Sequence, residues 1–406
     1  MKMPELLSPA GNPEKMKSAL RFGADAVYLS GKIFGMRAAA DNFTVEEIAE
    51  ACTYAHSLEK KVYVTVNTMP RTNEYPALER YLHELDGTGA DALIVADPGV
   101  IDAAHRCAPS VSLHLSTQAG AVSAQDCLFF ARQGVSRAVL ARELSFDDIA
   151  DIKKAVGDAL ELEVFIHGSM CVSFSGRCML SENMVGRDAN RGACAQPCRW
   201  NYGVYEIAEE KRPGMRMPIE QHPEGTFIMS SRDMSMIEHI PELVQSGVAS
   251  LKIEGRMKSA YYAAVTANTY RMALDRYAAD PENYGTDAGW LRELDSVSHR
   301  EYCTGYFFDK PSDKAQLTAL TGYIKEKAFL ATVTETRDGR AYCLQKNKAI
   351  NGACAELLTP GRCGVPVTLT DMRSADGQPI EASRHPGMIF SLDLPEARPG
   401  DIIRGV

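Results

Sequence analysis

The sequence predicts an α/β protein: a (β/α)8, TIM-type barrel with a cysteine-rich insertion after its seventh strand, followed by a small C-terminal all-β, barrel-like domain. Three observations predict it. Short runs rich in Val, Ile and Leu alternate eight times with helical runs within about 260 residues, the size of a (β/α)8 unit. Between the seventh run and the next helix lie about 70 residues, too many for a plain connecting loop. From residue 316 the texture changes to short runs broken by DG, NG and PG turns. The expected division is therefore a barrel over 1–280 with its insertion at 169–236, a connector over 281–315 and a β domain over 316–406.

The elements follow in order. ELLSPAG (5–11) leads into the helix of PEKMKSALRFG, where Gly23 offers the positive φ of a helix stop. ADAVYLSG (24–31) is followed, after KIFGMRAAADNF, by TVEEIAEACTYAHSLEK, in which Thr44 and Glu47 form a capping box. Further strands are expected at 61–68, 90–98, 110–118, 136–143, 160–168 and 249–255, with helices around 76–86, 99–107, 123–133, 145–155 and 237–246. SAYYAAVTANTYRMALDRYAAD is the eighth helix, and its Tyr261, Tyr262 and Tyr270 read as packing residues rather than a base-stacking platform. A doubly wound sheet is the competing arrangement; its nucleotide-binding form would want G-x-G-x-x-G after the first strand, which S-P-A-G-N-P does not supply. Beyond 316, AFLATVTET, AYCLQK, CAELLT, VPVTLTDM, MIFSLDL and DIIRGV are the strands of the β domain.

Composition narrows the class. With 45% hydrophobic and 24% charged residues the chain reads as soluble and globular, and no apolar run approaches the ~18 residues of a membrane span. The opening MKMPELLSPAG has no apolar signal core, so the expected compartment is the cytoplasm, where cysteines are thiols or metal ligands rather than disulfides. A net charge of -9 argues against a uniformly basic nucleic-acid binder. The cysteine-rich stretch is locally basic, however: Arg177, Arg187, Arg191 and Arg199 stand against only Glu182 and Asp188, a balance suited to phosphate or a dicarboxylate and equally to a solvated loop face.

That stretch is the expected chemical centre. Cys171, Cys178, Cys194 and Cys198 follow C-x6-C-x15-C-x3-C, four soft donors that can surround zinc or an iron-sulfur cluster, and the spacing alone leaves the metal open. Four protein ligands saturate the metal, which suits electron transfer, redox sensing or a structural role. Cys52 and Cys127 sit among apolar residues of helices and read as packing. Neither H-E-x-x-H nor G-x-S-x-G occurs. His167 lies four residues before Cys171, which suggests a cysteine hydrolase pair, but a cysteine that ligates metal is not a free nucleophile. Nor is the compact C-x3-C-x2-C of radical S-adenosylmethionine chemistry present.

Polar residues fall at the predicted C-terminal ends of strands, where a barrel builds its active site. They are Asn67, Asp97, Ser116, Gln118, Arg142, Glu143, His167, Lys252, Glu254 and Arg256. Lys252 and Glu254, two apart, share a strand face. His167, Glu254 and Lys252 are the catalytic candidates; Arg142, Arg256, Gln118 and Asn67 are the substrate-binding ones.

The run from Glu163 to Ser181, EVFIHGSMCVSFSGRCMLS, fits the pattern E-x-F-x2-G-[SA]-[LIVM]-C-x4-G-x-C-x-[LIVM]-S, and with it the chain resembles the collagenase-like U32 peptidase family. GRDANRGACAQPCRW, LKIEGRMKSAYY, LLSPAGNPEKMKSALRFGADAVYL and the closing HPG and PGDIIR extend the resemblance to nearly the whole chain. Several members of that family are O2-independent hydroxylation proteins for the wobble uridine of tRNA, a 23S rRNA cytidine or ubiquinone precursors. The resemblance, closest to the tRNA branch, implies a [4Fe-4S] cluster on Cys171, Cys178, Cys194 and Cys198. It also implies prephenate as a required metabolite, tRNA as substrate and a paralogous protein partner. A collagenase-like peptidase and a non-catalytic, cluster-bearing subunit are the alternatives. From strand-end position, not from the family, Arg142, Lys252 and Arg256 are expected to contact carboxylate or phosphate, and His167 and Glu254 to move protons.

Overall fold

The computed structural model describes residues 2–36, 40–171, 173–174, 177–199, 207–209, 212–217, 232–308, 324 and 327–406. Strand and helix alternate as expected through β1 (Glu5–Pro9), α1 (Pro13–Arg21), β2 (Ala26–Ser30), α2 (Val45–Ser57), β3 (Lys61–Val66), α3 (Tyr75–Asp86) and β4 (Ala92–Val95). They continue through α4 (Pro98–Cys107), β5 (Ser112–Leu115), α5 (Ala124–Arg132), β6 (Val135–Val139), α6 (Phe146–Val156) and β7 (Glu161–Ser169). After β7 come α7 (Leu180–Val185), the hairpin β8 (Ile207–Glu209) and β9 (Arg212–Met217), β10 (Asp233–Ser235) and α8 (Ile240–Gln245). The eighth barrel strand is β11 (Ser250–Ile253), which pairs in parallel with both β7 and β1 and so closes the ring. The local signals act as read: Thr44 and Glu47 form the capping box of α2, and Gly23, at φ 106°, follows α1.

The barrel interior has two halves of different character. Leu7, Ala26, Tyr28, Tyr63, Ala92 and Ile94, from β1 to β4, form a closed apolar cluster. Packed against them, buried Arg137 on β6 meets Glu5 at 2.7 Å and Glu163 at 3.4 Å, while Lys252 Nζ on β11 lies 2.8 Å from Glu163 Oε1. Tyr63 Oη donates to Glu5 at 2.7 Å, and the Lys252 ammonium sits 4.5 Å from the Tyr28 ring centroid. Glu163 is thus neutralised by cations of the two strands that flank β7, and Glu5 of β1 by Arg137 from a strand that is not its neighbour. Burial alone would raise the Glu163 carboxyl, but Lys252, Arg137 and His114 outweigh it and hold it below the usual carboxylate range.

After α9 (Ala260–Ala279), α10 (Ala288–Asp295) and β12 (Tyr302–Cys303) return to the barrel. Trp290, Leu294, Val297 and Phe307 belong to the main core, so this part of the expected connector is packed structure. β10 adds antiparallel to the end of β7, and β12 adds to β10, a two-strand extension that the periodicity did not announce because both strands are short.

The C-terminal domain is an open, half-barrel antiparallel sheet of β13 (Phe329–Arg337), β14 (Arg340–Gln345), β15 (Cys354–Leu358), β16 (Val365–Thr368), β17 (Thr370–Ser374), β18 (Ile389–Asp393) and β19 (Ile402–Gly405). Their spatial order is β16-β15-β19-β13-β14-β18-β17. It is joined firmly to the helical ring. Arg404, 1% exposed, makes two charge-assisted bonds to Glu293 of α10 at 2.6 and 2.7 Å and one to Glu356 at 2.8 Å, and Asn268 of α9 bonds the backbone of Gly361 and Arg362.

Candidate active site at the barrel mouth

The C-terminal ends of the strands gather several of the expected residues. Asn67, just past β3, accepts from the Met36 amide and donates to Ser116 Oγ just past β5. Arg256, 3% exposed, reaches across to Thr65 Oγ1 at 3.2 Å. Glu254 is partly exposed beside Tyr28, whose hydroxyl lies 3.4 Å from Glu254 Oε2. Arg142 donates to the Ser169 carbonyl at 2.9 Å and lies 4.6 Å from the Phe165 ring centroid. Gln118 is buried, and its Oε1 has no hydrogen-bond partner among the described residues. Asp97 caps α4 through the amides of Gly99 and Val100, a structural task.

Lys252 and His167 stand apart from this group. Lys252 lies below the mouth in the ion pair with Glu163, and so shares a strand face with Glu254 without sharing its exposure. His167 leaves the lumen altogether. The β7–β11 register slips between Lys252 and Ile253, which pair with Phe165 and His167, and the extra residue turns His167 outward. Its ring lies among those of Tyr262, Tyr270 and Tyr302 at 5.3 to 5.9 Å, and burial pushes its pKa down to about 3, so the imidazole is neutral. Tyr261, Tyr262 and Tyr270 are buried packing residues, as read. The next residue, Gly168, has φ 103°, and a Cβ there would sit 2.3 Å from the Glu254 carbonyl oxygen, so only glycine lets β7 pass the mouth loop at this point.

The cysteine segment lies across the mouth and is tied to three of its loops. Arg177 donates to the carbonyls of Gln118 and Ala119 at 2.7 and 3.3 Å. Arg191 grips Glu74 through two bonds of 2.6 and 2.8 Å and the Met69 carbonyl at 3.0 Å. Gly192 packs against Gly35 and Met36, where a Cβ would come 2.6 Å from the Gly35 oxygen. Two of the four local arginines thus fasten the segment. Sequence reading missed this use and Glu74 with it, because partners 117 residues apart leave no local signal.

None of the eleven cysteines is in a disulfide. Within the quartet Cys171 and Cys194 are exposed and Cys178 and Cys198 half-buried. Cys178 Sγ accepts from the Leu180 amide at 3.3 Å and Cys194 Sγ from the Gln196 amide at 3.4 Å, and α7 packs on the turn that carries Cys198. Amide-to-sulfur bonds of this kind tune iron-sulfur centres, so the donor set suits a cluster. Among the described residues, however, no three His, Cys, Asp or Glu side chains are gathered to hold one metal ion. Closing a cluster on these four sulfurs requires the segment to tighten.

The Glu74 carboxyl is held down to about 2, chiefly by its bonds to Arg191 and the Arg71 amide, so this tie persists well into the acid range. Replacing it, as Glu74→Gln, should leave the barrel's melting temperature within a few degrees and raise amide hydrogen exchange in residues 189–193 at least tenfold. Unchanged exchange there would show that the segment does not depend on this tie.

Comparison with known sequences adds the relatives of this arrangement. Peptidase family U32 matches residues 11–317, and the family U32 C-terminal domain matches residues 325–404. The chain is 39% identical to tRNA hydroxylation protein P1 of Bacillus subtilis (strain 168) over 97% of its own length and 92% of that protein. It is 35% identical to tRNA hydroxylation protein P of Escherichia coli (strain K12), covering 97% and 94%. It is also 37% identical to the 23S rRNA 5-hydroxycytidine C2501 synthase of Escherichia coli (strain K12), over 67% of this chain and 39% of that one. Among the described residues no helix is long and apolar enough to cross a membrane.

Proposed function

The chain belongs to peptidase family U32, and because relatives similar over nearly its whole length are tRNA hydroxylation proteins, we propose that it is an RNA-modifying hydroxylase acting on tRNA. Its product is 5-hydroxyuridine at the wobble position, made without O2 and with prephenate as a required metabolite. The observation that carries this reading is the whole-length similarity to tRNA hydroxylation proteins, and the cysteine segment across the barrel mouth is consistent with it.

Cys171, Cys178, Cys194 and Cys198 would hold a [4Fe-4S] cluster, whose chemistry at the mouth is one-electron transfer, since four protein ligands leave no iron position open. The other roles fall to the chain's own residues. Arg142, fixed to the Ser169 carbonyl and set over the Phe165 ring, and Arg256, fixed to Thr65, present guanidinium groups to a carboxylate or phosphate. Glu254, partly exposed beside Tyr28, is the group placed to exchange a proton with substrate. Lys252 acts from below by fixing Glu163 and the lumen charge. His167, neutral and enclosed, supports the root of the cysteine segment.

Placement also weighs against a cysteine peptidase. A hydrolytic pair needs thiol and imidazole within hydrogen-bond reach, whereas Cys171 is exposed and His167 is enclosed among tyrosines. The test is nucleoside mass spectrometry of tRNA from a strain lacking the gene. Hydroxyuridine should disappear and return on complementation; hydroxyuridine that persists without the gene, with no paralogue present, defeats the reading.

A further inference from the structure

The mouth contains a polar side chain with a buried acceptor that has no partner among the described residues. Gln118 is 6% exposed, and its Oε1 is enclosed yet accepts no hydrogen bond among the described residues. Enclosed acceptors without donors are costly and rarely retained, so the site is built for a donor that arrives with a ligand. The cysteine segment carries a second such acceptor: Asn190 Oδ1 is enclosed without a partner among the described residues while its Nδ2 donates to the Cys178 carbonyl.

The surroundings narrow the donor's chemistry. Gln118 lies on the turn after β5, whose Gly120 faces the half-exposed Phe174: a Cβ on Gly120 would come 3.6 Å from Phe174 Cε1. Arg177, exposed, spans the same turn through its bonds to the carbonyls of Gln118 and Ala119. An aromatic face, a guanidinium and a carboxamide are thus collected on one turn. These are the groups that stack a splayed base, meet its phosphate and read its edge. Phe174 and Arg177 are both exposed, so a ligand can reach them from solvent.

We infer that the Gln118 carboxamide reads the imide edge of the target uracil. The uracil N3–H donates to Gln118 Oε1, and Gln118 Nε2 donates to the neighbouring carbonyl oxygen of the base. Phe174 stacks on the ring. Cytosine lacks the N3–H and would set its own N3 lone pair against Oε1, so the same contact discriminates against it. This inference rests on the reading of the protein as a uridine hydroxylase and adds the residue that selects the base.

The experiment separates the two claims. Binding of the hexaribonucleotide U6 and of U6 methylated at N3 to the intact, anaerobically purified protein is measured by fluorescence anisotropy at fixed salt. N3-methylation should weaken binding at least tenfold, and Gln118→Glu, which has no donor, should weaken U6 by a similar factor while its melting temperature stays near that of the wild type. Equal binding of the two RNAs, or no binding of either, overturns the inference. So does a folded Gln118→Glu protein that binds U6 as the wild type does. If Gln118→Glu fails to fold, the comparison of the two RNAs on the wild type decides alone. Hydroxyuridine persisting in the deletion strain would instead overturn the hydroxylase reading, whatever the binding result.

Discussion

Replacing Lys252 by Met is expected to lower the unfolding free energy by about 3–5 kcal/mol, the cost of leaving a buried charge without its partner. Glu163 is fully buried, and its two cations are Lys252 at 2.8 Å and Arg137 at 3.4 Å. Removal of the nearer one leaves a carboxylate that Arg137, already engaged by Glu5 and Glu161, neutralises only in part. Glu163→Gln should cost a comparable amount for the mirror reason. The double variant Glu163→Gln, Lys252→Met should lose less than the sum of the two, because neither charge is then stranded. The pH dependence has a definite sign. The folded Glu163 pKa is depressed, so its stabilising effect is complete above the unfolded value near ~4.3 and is lost as pH falls through the lower folded value. The gap between wild type and Lys252→Met should therefore be widest at pH 7 to 8 and narrow as pH falls, first because the stranded carboxylate of the variant takes up a proton above the unfolded value and then because the wild type loses its own contribution below it. Urea denaturation across that range checks it, and a gap that widens in acid would show that Glu163 is not the charge Lys252 neutralises.

The barrel was legible because its information is local. The short apolar runs of the strands, buried along almost their whole length, Thr44 with Glu47 at the start of α2 and Gly23 after α1 each act within a few residues, and the structure repeats them. The strand ends were legible for the same reason, which is how Asn67, Gln118, Arg142, Glu254 and Arg256 were found at the mouth. What sequence did not disclose depends on tertiary register. A one-residue slip against β11 turned His167 from the expected mouth to the tyrosine-lined exterior, and no pattern in LELEVFIHG marks that slip. Lys252 was placed on the correct face, but its depth depended on Glu163 of another strand. Glu161 and Glu163, two apart in a strand otherwise apolar, were the available hint of a charged lumen. The hold of Arg191 on Glu74 joins segments that only the closed ring brings together.

Substituting Ser for any one of Cys171, Cys178, Cys194 and Cys198 is expected to remove hydroxyuridine from tRNA and most of the iron from anaerobically purified protein, with little change in melting temperature. The expectation follows from contrasting surroundings of the cysteines. Burial pushes the Cys52 thiol up to about 12 and Cys127 up to about 11, so neither supplies a thiolate, and both fill space in the core. The quartet lies on a segment outside the barrel wall, two of its sulfurs already accept backbone amides, and none is needed to fill the core. A serine oxygen is a hard, poorly ionised donor for iron, and a cluster of about four irons on four cysteines has no spare ligand. Cys127→Ser should show the opposite pattern, a lower melting temperature with iron retained, because it buries a hydroxyl in an apolar pocket. Iron and hydroxyuridine at wild-type levels in any one of the four quartet variants would remove that sulfur from the cluster, and in all four would remove the cluster from the mechanism.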